Sequence, residues 1–339
     1  MSIKKFVALL LAGALCLSAF TGCGAKPEDT VATLAEENIS FGVANFLFKY
    51  QKSTVDDIYA LYGMTWDTDV YGTGTTLEDD FKDSAVQLLH DLYTLKQHMA
   101  DYNVEVTAED EAAIEAAAKA FMEANSKEAI EEFGATQEIV EEVLTLYTIQ
   151  AKVYNEIIAG ADREVSDEEA NMRGYSMVSI NIAGSYDESY NYVEYTDTEV
   201  AVLKESANEL VDRMASGLTL EEAAKELDFD VTTGSYAKDD ATMGKELLAA
   251  MDALKEGETS GVIETTSNLY VVRIDADTDE AATETNRQNI IANREAALYE
   301  DVVTAWQEND GWTVNESVVD KIDFHNWFTQ QTEEATESE

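Results

Sequence analysis

Apolar residues return every three or four positions from Ile39 to about Gly160, the spacing of helices that bury one face. From Ile39 to Tyr62 they include several aromatics, with Ala44, Phe48 and Lys49 close in projection, which predicts one hydrophobic helix. Tyr71 to Thr76, rich in glycine and threonine, predicts a loop, and Leu77 to Tyr102 a second helix. Thr107 stands as a cap ahead of Glu109 and Asp110, where the positive end of a helix favours acids. That helix runs on to Asn125. Thr136 opens another, in which Ile139, Val143, Leu146, Gln150, Val153 and Ile157 step along one side.

The period changes near Arg173. Val178, Ile180 and Ile182 alternate with Met177, Ser179 and Asn181, which predicts a strand with the aliphatic side inward. Gly184 to Asp197 interrupts it with four tyrosines among acids. Helical spacing resumes from Glu199 to Ser216, and Thr219 with Glu222 makes a capping box for a short helix, Leu220 to Leu227. Met243 to Leu254 reads as helix, Gly257 as its stop, and Ser260 to Thr265 with Leu269 to Ile274 as paired strands turning at Ser267-Asn268. A long helix follows from about Glu280 to Asn309. Trp312-Thr313-Val314 and Val318 to Phe324 then add an edge strand or dock along another element. Together these predict an α+β fold.

The N-terminus adds an address. Lys4 and Lys5 precede an apolar run from Phe6 to Phe20, too short and too abruptly ended to span a membrane, so residues 1–22 read as a secretory signal. Phe20-Thr21-Gly22-Cys23 is similar to the lipobox of bacterial lipoproteins, although Phe20 departs from the usual leucine. The resemblance implies cleavage before Cys23 and lipidation of its thiol; ordinary secretion with Cys23 free is the alternative. Two acyl chains would anchor firmly at ~0.8 kcal/mol per buried methylene. Residues 23–30, with Pro27 the only proline, form the tether.

The formal charge is −47, from 22 basic and 69 acidic residues, and losing Lys4 and Lys5 with the signal makes it −49. Such acidity argues against nucleic acid as a partner and against peripheral binding to anionic headgroups. It favours solubility and a long-range attraction for basic, unfolded polypeptides. Cys16 and Cys23 are the only cysteines, so a lipidated mature chain has no thiol for a disulfide or a nucleophile.

The order of parts resembles the extracytoplasmic foldase lipoproteins of Gram-positive bacteria and the related periplasmic parvulin chaperones. Thr30-Val31-Ala32-Thr33 looks like the family's opening strand, and Thr219 to Leu227 like the short helix packed under the parvulin sheet. Met243-Gly244-Lys245-Glu246-Leu247 looks like the segment carrying the proline pocket, and Asn268 to Ile274 like the last strand. The resemblance implies a mostly helical chaperone domain built from residues 31–165 and 280–328, with a parvulin-like α+β domain at 170–276 inserted in it; residues 329–339, with Ala335 alone apolar from Glu333 on, read as an acidic tail. It also implies unfolded secreted polypeptides as partners, and neither cofactor nor metal.

Family parvulins surround the pocket with two histidines, an aspartate or cysteine, and a methionine with a phenylalanine or leucine. Matched residue by residue, Ser179 stands at the first histidine and Tyr270 at the second, while Met243 and Leu247 fall at the apolar pair. Core packing is the plain alternative for Met243 and Leu247. His90, His98 and His325 all lie outside the module. The expectation is a retained peptide groove with weak or lost prolyl isomerase activity, an active isomerase being the alternative. His90 and His98, about 12 Å apart along one helix, read as surface residues. Among the N-terminal aromatics, Trp66 and Tyr71 flank the glycine-rich loop and are expected to be exposed for client binding. A solute-binding lipoprotein would show repeated βα units around a cleft, and a cell-envelope scaffold would show no client binding.

Overall fold

The structure, a computed structural model, describes residues 15–16 and 25–330. Helices and antiparallel sheets make an α+β fold that separates into two units, 1–161 with 295–339, and 162–294. Cys23 and the tail beyond Gln330 lie outside the described residues.

In the first unit, Thr30–Leu34 pairs with Glu37–Ser40 across a tight turn in which Ala35 takes φ 51°. Its other edge pairs antiparallel with Thr313–Val314, Thr33 opposite Thr313 and Ala32 opposite Val314. Residues from both ends of the chain therefore complete one three-stranded sheet. Leu15–Cys16, inside the expected signal, forms a two-residue ladder with Thr329–Gln330 that cleavage before Cys23 would remove.

Ser40 caps the Phe41–Ser53 helix. The helix expected to reach Tyr62 breaks at Thr54, whose hydroxyl donates to Gln51 O at 2.7 Å, while the Ser53 hydroxyl donates to Tyr50 O at 2.7 Å. Such local bonds compete with continuation of the helix. It restarts as Asp56–Leu61. Capping boxes at Thr76 with Asp79 and at Thr107 with Asp110 open Leu77–His98 and Ala108–Ala124. Lys127–Phe133, a helix the periodicity did not announce, runs from the Ser126 cap to Gly134 at φ 62°. Gln137–Ile158 follows. The core joins Leu34, Ile39, Phe48, Leu92, Phe133 and Phe324, and a second cluster packs Ile149, Val153 and Ile157 with Val303.

The second unit is built on a four-stranded antiparallel sheet ordered Thr232–Ala237, Met172–Asn181, Asn268–Ala276, Ile263–Glu264. Val178, Ile180, Leu269 and Val271 face the Asp197–Ala215 and Leu220–Glu226 helices through Ala207, Leu210, Leu220 and Ala223. Val272, Ile274 and Tyr236 pack with the Lys245–Asp252 helix through Leu247 and Met251. The long helix is Glu280–Gln307, and its first part, to Arg294, belongs to this unit. Along that part Asn286 donates to Ala170 O at 3.0 Å and the Thr283 hydroxyl accepts from Met172 N at 3.0 Å, with Arg287 paired to Asp167 at 2.9 Å and Arg294 to Glu169 at 2.6 Å at the surface.

Candidate functional site

Alternation along Met172–Asn181 decides the site. With Val178 and Ile180 committed to one core, Tyr175, Met177 and Ser179 fall on the opposite face. The antiparallel register sets Ser179 directly across from Tyr270, with about 5 Å expected between their Cβ atoms. Ser179 is exposed and Tyr270 half-buried.

Met243 and Leu247 reach the same face from below. Asp240 accepts from Thr242 N at 2.9 Å and closes a short turn, Ala241–Met243. Gly244, at φ 75°, then redirects the chain into the Lys245–Asp252 helix, a backbone angle that favours glycine. Leu247 is buried and Met243 half-buried, and both pack in the cluster that includes Tyr270, Met177 and Tyr175. All four residues matched to the parvulin pocket thus belong to one face of the sheet. Met243 and Leu247 pack there as core residues, the plain alternative to a pocket role.

Two neighbours shape this face. Gly234 stands opposite Tyr175, and a Cβ on it would lie 2.8 Å from the Tyr175 hydroxyl, so glycine lets that ring lie across the edge strand. Burial, reinforced by Asp240, pushes the Tyr175 phenol upward and keeps it protonated. Arg173 donates to the Tyr236 hydroxyl at 2.9 Å, to Met251 O at 3.1 Å and to Leu254 O at 2.7 Å, tying the Lys245–Asp252 helix and the residues after it to the sheet. The face offers apolar and thioether grip with hydroxyl donors, and the second unit holds no imidazole, since the histidines are at 90, 98 and 325.

Elsewhere two expectations are corrected. Trp66 is only 1% exposed: its indole N–H donates to Asp56 at 2.9 Å and its ring packs edge-on against Tyr59, Phe81 and Phe324. It anchors the loop from within. Tyr71 is 80% exposed, as expected. His90 is buried, not at the surface, bonded to Asp310 at 2.6 Å and stacked on Trp312 at 4.3 Å. His98 stacks on Trp306 at 4.3 Å beside Asp101.

Sequence spacing missed three groupings. Lys52 lies buried among Trp66, Trp327 and Phe328. Asp67, Glu78 and His325 bring potential ligand atoms within 4.8 Å at the surface. Residues exposed around the glycine-rich loop also include Leu61 and Tyr62, which sit where one continuous helix was expected.

Residues 185–314 match the family model of the PPIC-type PPIASE domain. That span contains Tyr270, Met243 and Leu247 and begins beyond Ser179. The class this defines is an α+β chain in which residues 185–314 match a PPIC-type PPIASE domain. Among solved structures the chain is similar to foldase protein PrsA from Lactococcus lactis, at 13% identity and a TM-score of 0.36, covering 87% of this chain and 97% of that one. It is also similar to the peptidylprolyl isomerase PrsA from Bacillus cereus, at 14% identity and a TM-score of 0.31, covering 87% and 98%. A SurA-like chaperone structure from Campylobacter jejuni matches at 11% identity and a TM-score of 0.30, covering 84% and 98%. With every one of these TM-scores below 0.5, the class rests on the domain match. No curated protein matches the chain.

Proposed function

We propose that this protein is an extracytoplasmic folding factor, held at the outer face of the cell membrane by lipid on Cys23, that binds unfolded secreted polypeptides. Its parvulin-type domain grips peptide segments with weak or no prolyl isomerase activity. The observation that carries the second statement is the pairing of Ser179 with Tyr270 beside Met243 and Leu247, with every histidine of the chain elsewhere.

Isomerisation requires a tertiary amide to lose planarity against a barrier of ~18–20 kcal/mol. A catalyst works by binding the twisted amide better than the planar one. The histidines with which family parvulins surround the pocket have no counterpart in residues 162–294, which supports weak discrimination between the two forms. Client binding finds support in Leu61, Tyr62 and Tyr71, which are 81%, 73% and 80% exposed in the first unit and offer grip to extended apolar segments. Lipid on Cys23 provides an anchor that the described helices do not: none is long and apolar enough to cross a membrane.

The test pairs two measurements on the mature chain. Exchange NMR of a short X-Pro peptide is expected to show little or no acceleration, unchanged by Tyr270→Phe or Ser179→Ala. Aggregation of a reduced, unfolded client is expected to be suppressed, and the suppression to weaken when Leu61, Tyr62 and Tyr71 are replaced by serine. Strong catalysis abolished by either hydroxyl substitution overturns the degenerate site. Absence of aggregation suppression overturns the folding factor.

A further inference from the structure

The tyrosine-rich interruption at Gly184 to Asp197 folds as a separate antiparallel ribbon, Gly184–Tyr186 paired with Tyr192–Glu194. Its tip is built by Asp187, whose carboxylate accepts from Ser189 N at 2.8 Å and Asn191 N at 2.9 Å. Gly184 permits the closure, because a Cβ there would lie 2.3 Å from Val193 O.

The side chains this ribbon displays are unusual for a connection. Tyr186, Tyr190 and Tyr192 are 70%, 88% and 50% exposed, and none belongs to either core of the module. Tyr186 and Tyr192 stand opposite each other with ring centroids 5.5 Å apart. Tyr190 takes φ 61°, the left-handed region that asparagine or glycine fills in ordinary hairpins and that a bulky side chain rarely adopts. A strained backbone that holds an aromatic ring out in water points towards recognition rather than stability.

The surroundings select the partner. Residues 184–197 hold four acids, Asp187, Glu188, Glu194 and Asp197, and no base. With Asp187 engaged in the turn, Glu188 and Glu194 remain exposed beside the rings. Aromatic faces among carboxylates attract guanidinium and ammonium groups through the ring quadrupole as well as the full charges. An apolar segment would gain the rings but meet the acids.

We propose that the Gly184–Glu194 ribbon is a docking finger for extended, arginine- or lysine-bearing segments of client polypeptide. This rests on the client-binding reading and specifies which segments the module takes.

The probe is a short, unstructured, fluorescent peptide alternating arginine and serine, with glutamate and leucine counterparts, titrated into the mature chain by anisotropy. The arginine peptide is expected to bind best and to weaken as ionic strength rises. Loss of each ring, in Tyr190→Gly or in Tyr186→Ser with Tyr192→Ser, is expected to weaken it on the order of threefold. Tyr190→Gly is also expected to raise the melting temperature by relieving the left-handed residue, so stability and binding move in opposite directions. Equal binding of the arginine peptide by all variants, or preference for the leucine peptide, overturns the proposal. The same preparations are assayed for aggregation suppression. Intact suppression with unchanged arginine-peptide binding fells the docking finger alone. No suppression by the unmutated chain, with ring-dependent peptide binding, fells the folding factor and leaves the finger standing.

Discussion

Lys52 has its ammonium 2.8 and 2.7 Å from the two oxygens of Asp56, and neither side chain touches solvent. Burial pulls the Lys52 pKa down from the usual lysine range, and Asp56 opposes it. Asp56 serves more than the lysine, since it also accepts from the Trp66 indole and from Phe328 N at 3.0 Å. Lys52→Ala is therefore expected to destabilise the first unit by about 3–5 kcal/mol, the usual cost of stranding a buried charge, read as a lower urea midpoint. Replacing both partners by apolar residues restores only part of this, because the Trp66 and Phe328 donors then lack an acceptor. The same pair hides Trp66 from its local sequence. Trp66 beside a glycine-rich loop has the appearance of an exposed ring, and nothing local announces that a carboxylate ten positions earlier holds its N–H indoors. Tyr71, with no such partner, stands in solvent as its neighbourhood suggested. His90 misled similarly, its partners Asp310 and Trp312 lying far along the chain.

Between elements, the clearest electrostatic link joins the Leu220–Glu226 helix to the Asn268–Ala276 strand. Arg273 donates to both oxygens of Glu221, at 2.9 and 2.7 Å, and to Asp275. Hydrogen bonding to Arg273, helped by the helix N-terminus, pushes the Glu221 carboxyl down to about 2. A carboxyl depressed in the folded state stabilises above its unfolded pKa and loses that contribution as pH falls through the folded one. The window thus runs from about 4.5 down to about 2. In Glu221→Gln, melting of the module is expected to vary less with pH across that window; an identical acid profile would show the link to be inert. Elements were legible where one local rule governs them: the Thr219 and Glu222 capping box forms as read, and Val178 and Ile180 turn inward as their alternation requires. They were illegible where side chains compete with the backbone, as at Ser53-Thr54. They were equally so where a ribbon has no apolar alternation to betray it, as at Gly184–Glu194.

For the molecule as a whole, the α+β class followed from the change of period near Arg173, whereas the placing of Ser179, Tyr270, Met243 and Leu247 on one face needed the folded sheet, since they are spread over about ninety positions. The lipid address is a separate matter with its own measurement. In the source cell the unmutated protein is expected in the membrane pellet with a lipid-modified Cys23 at its N-terminus. Cys23→Ser is expected to move it out of that fraction, and a Cys23→Ser protein that still sediments with membranes would remove the anchor from the proposal. Thr33 and Thr313 meet hydroxyl to hydroxyl at 2.6 Å across a separation of 280 residues. A chain that emerges from its N-terminus has Thr30–Leu34 in place long before the partner strand arrives, while the parvulin module needs only residues that come between them. Closing so long a loop is slow and is rewarded only at the end. The first unit is thus the last to finish, and until Thr313–Val314 docks, the newborn protein carries an open sheet edge and an unfilled core of its own. For that interval it is in the condition of the polypeptides it is proposed to protect.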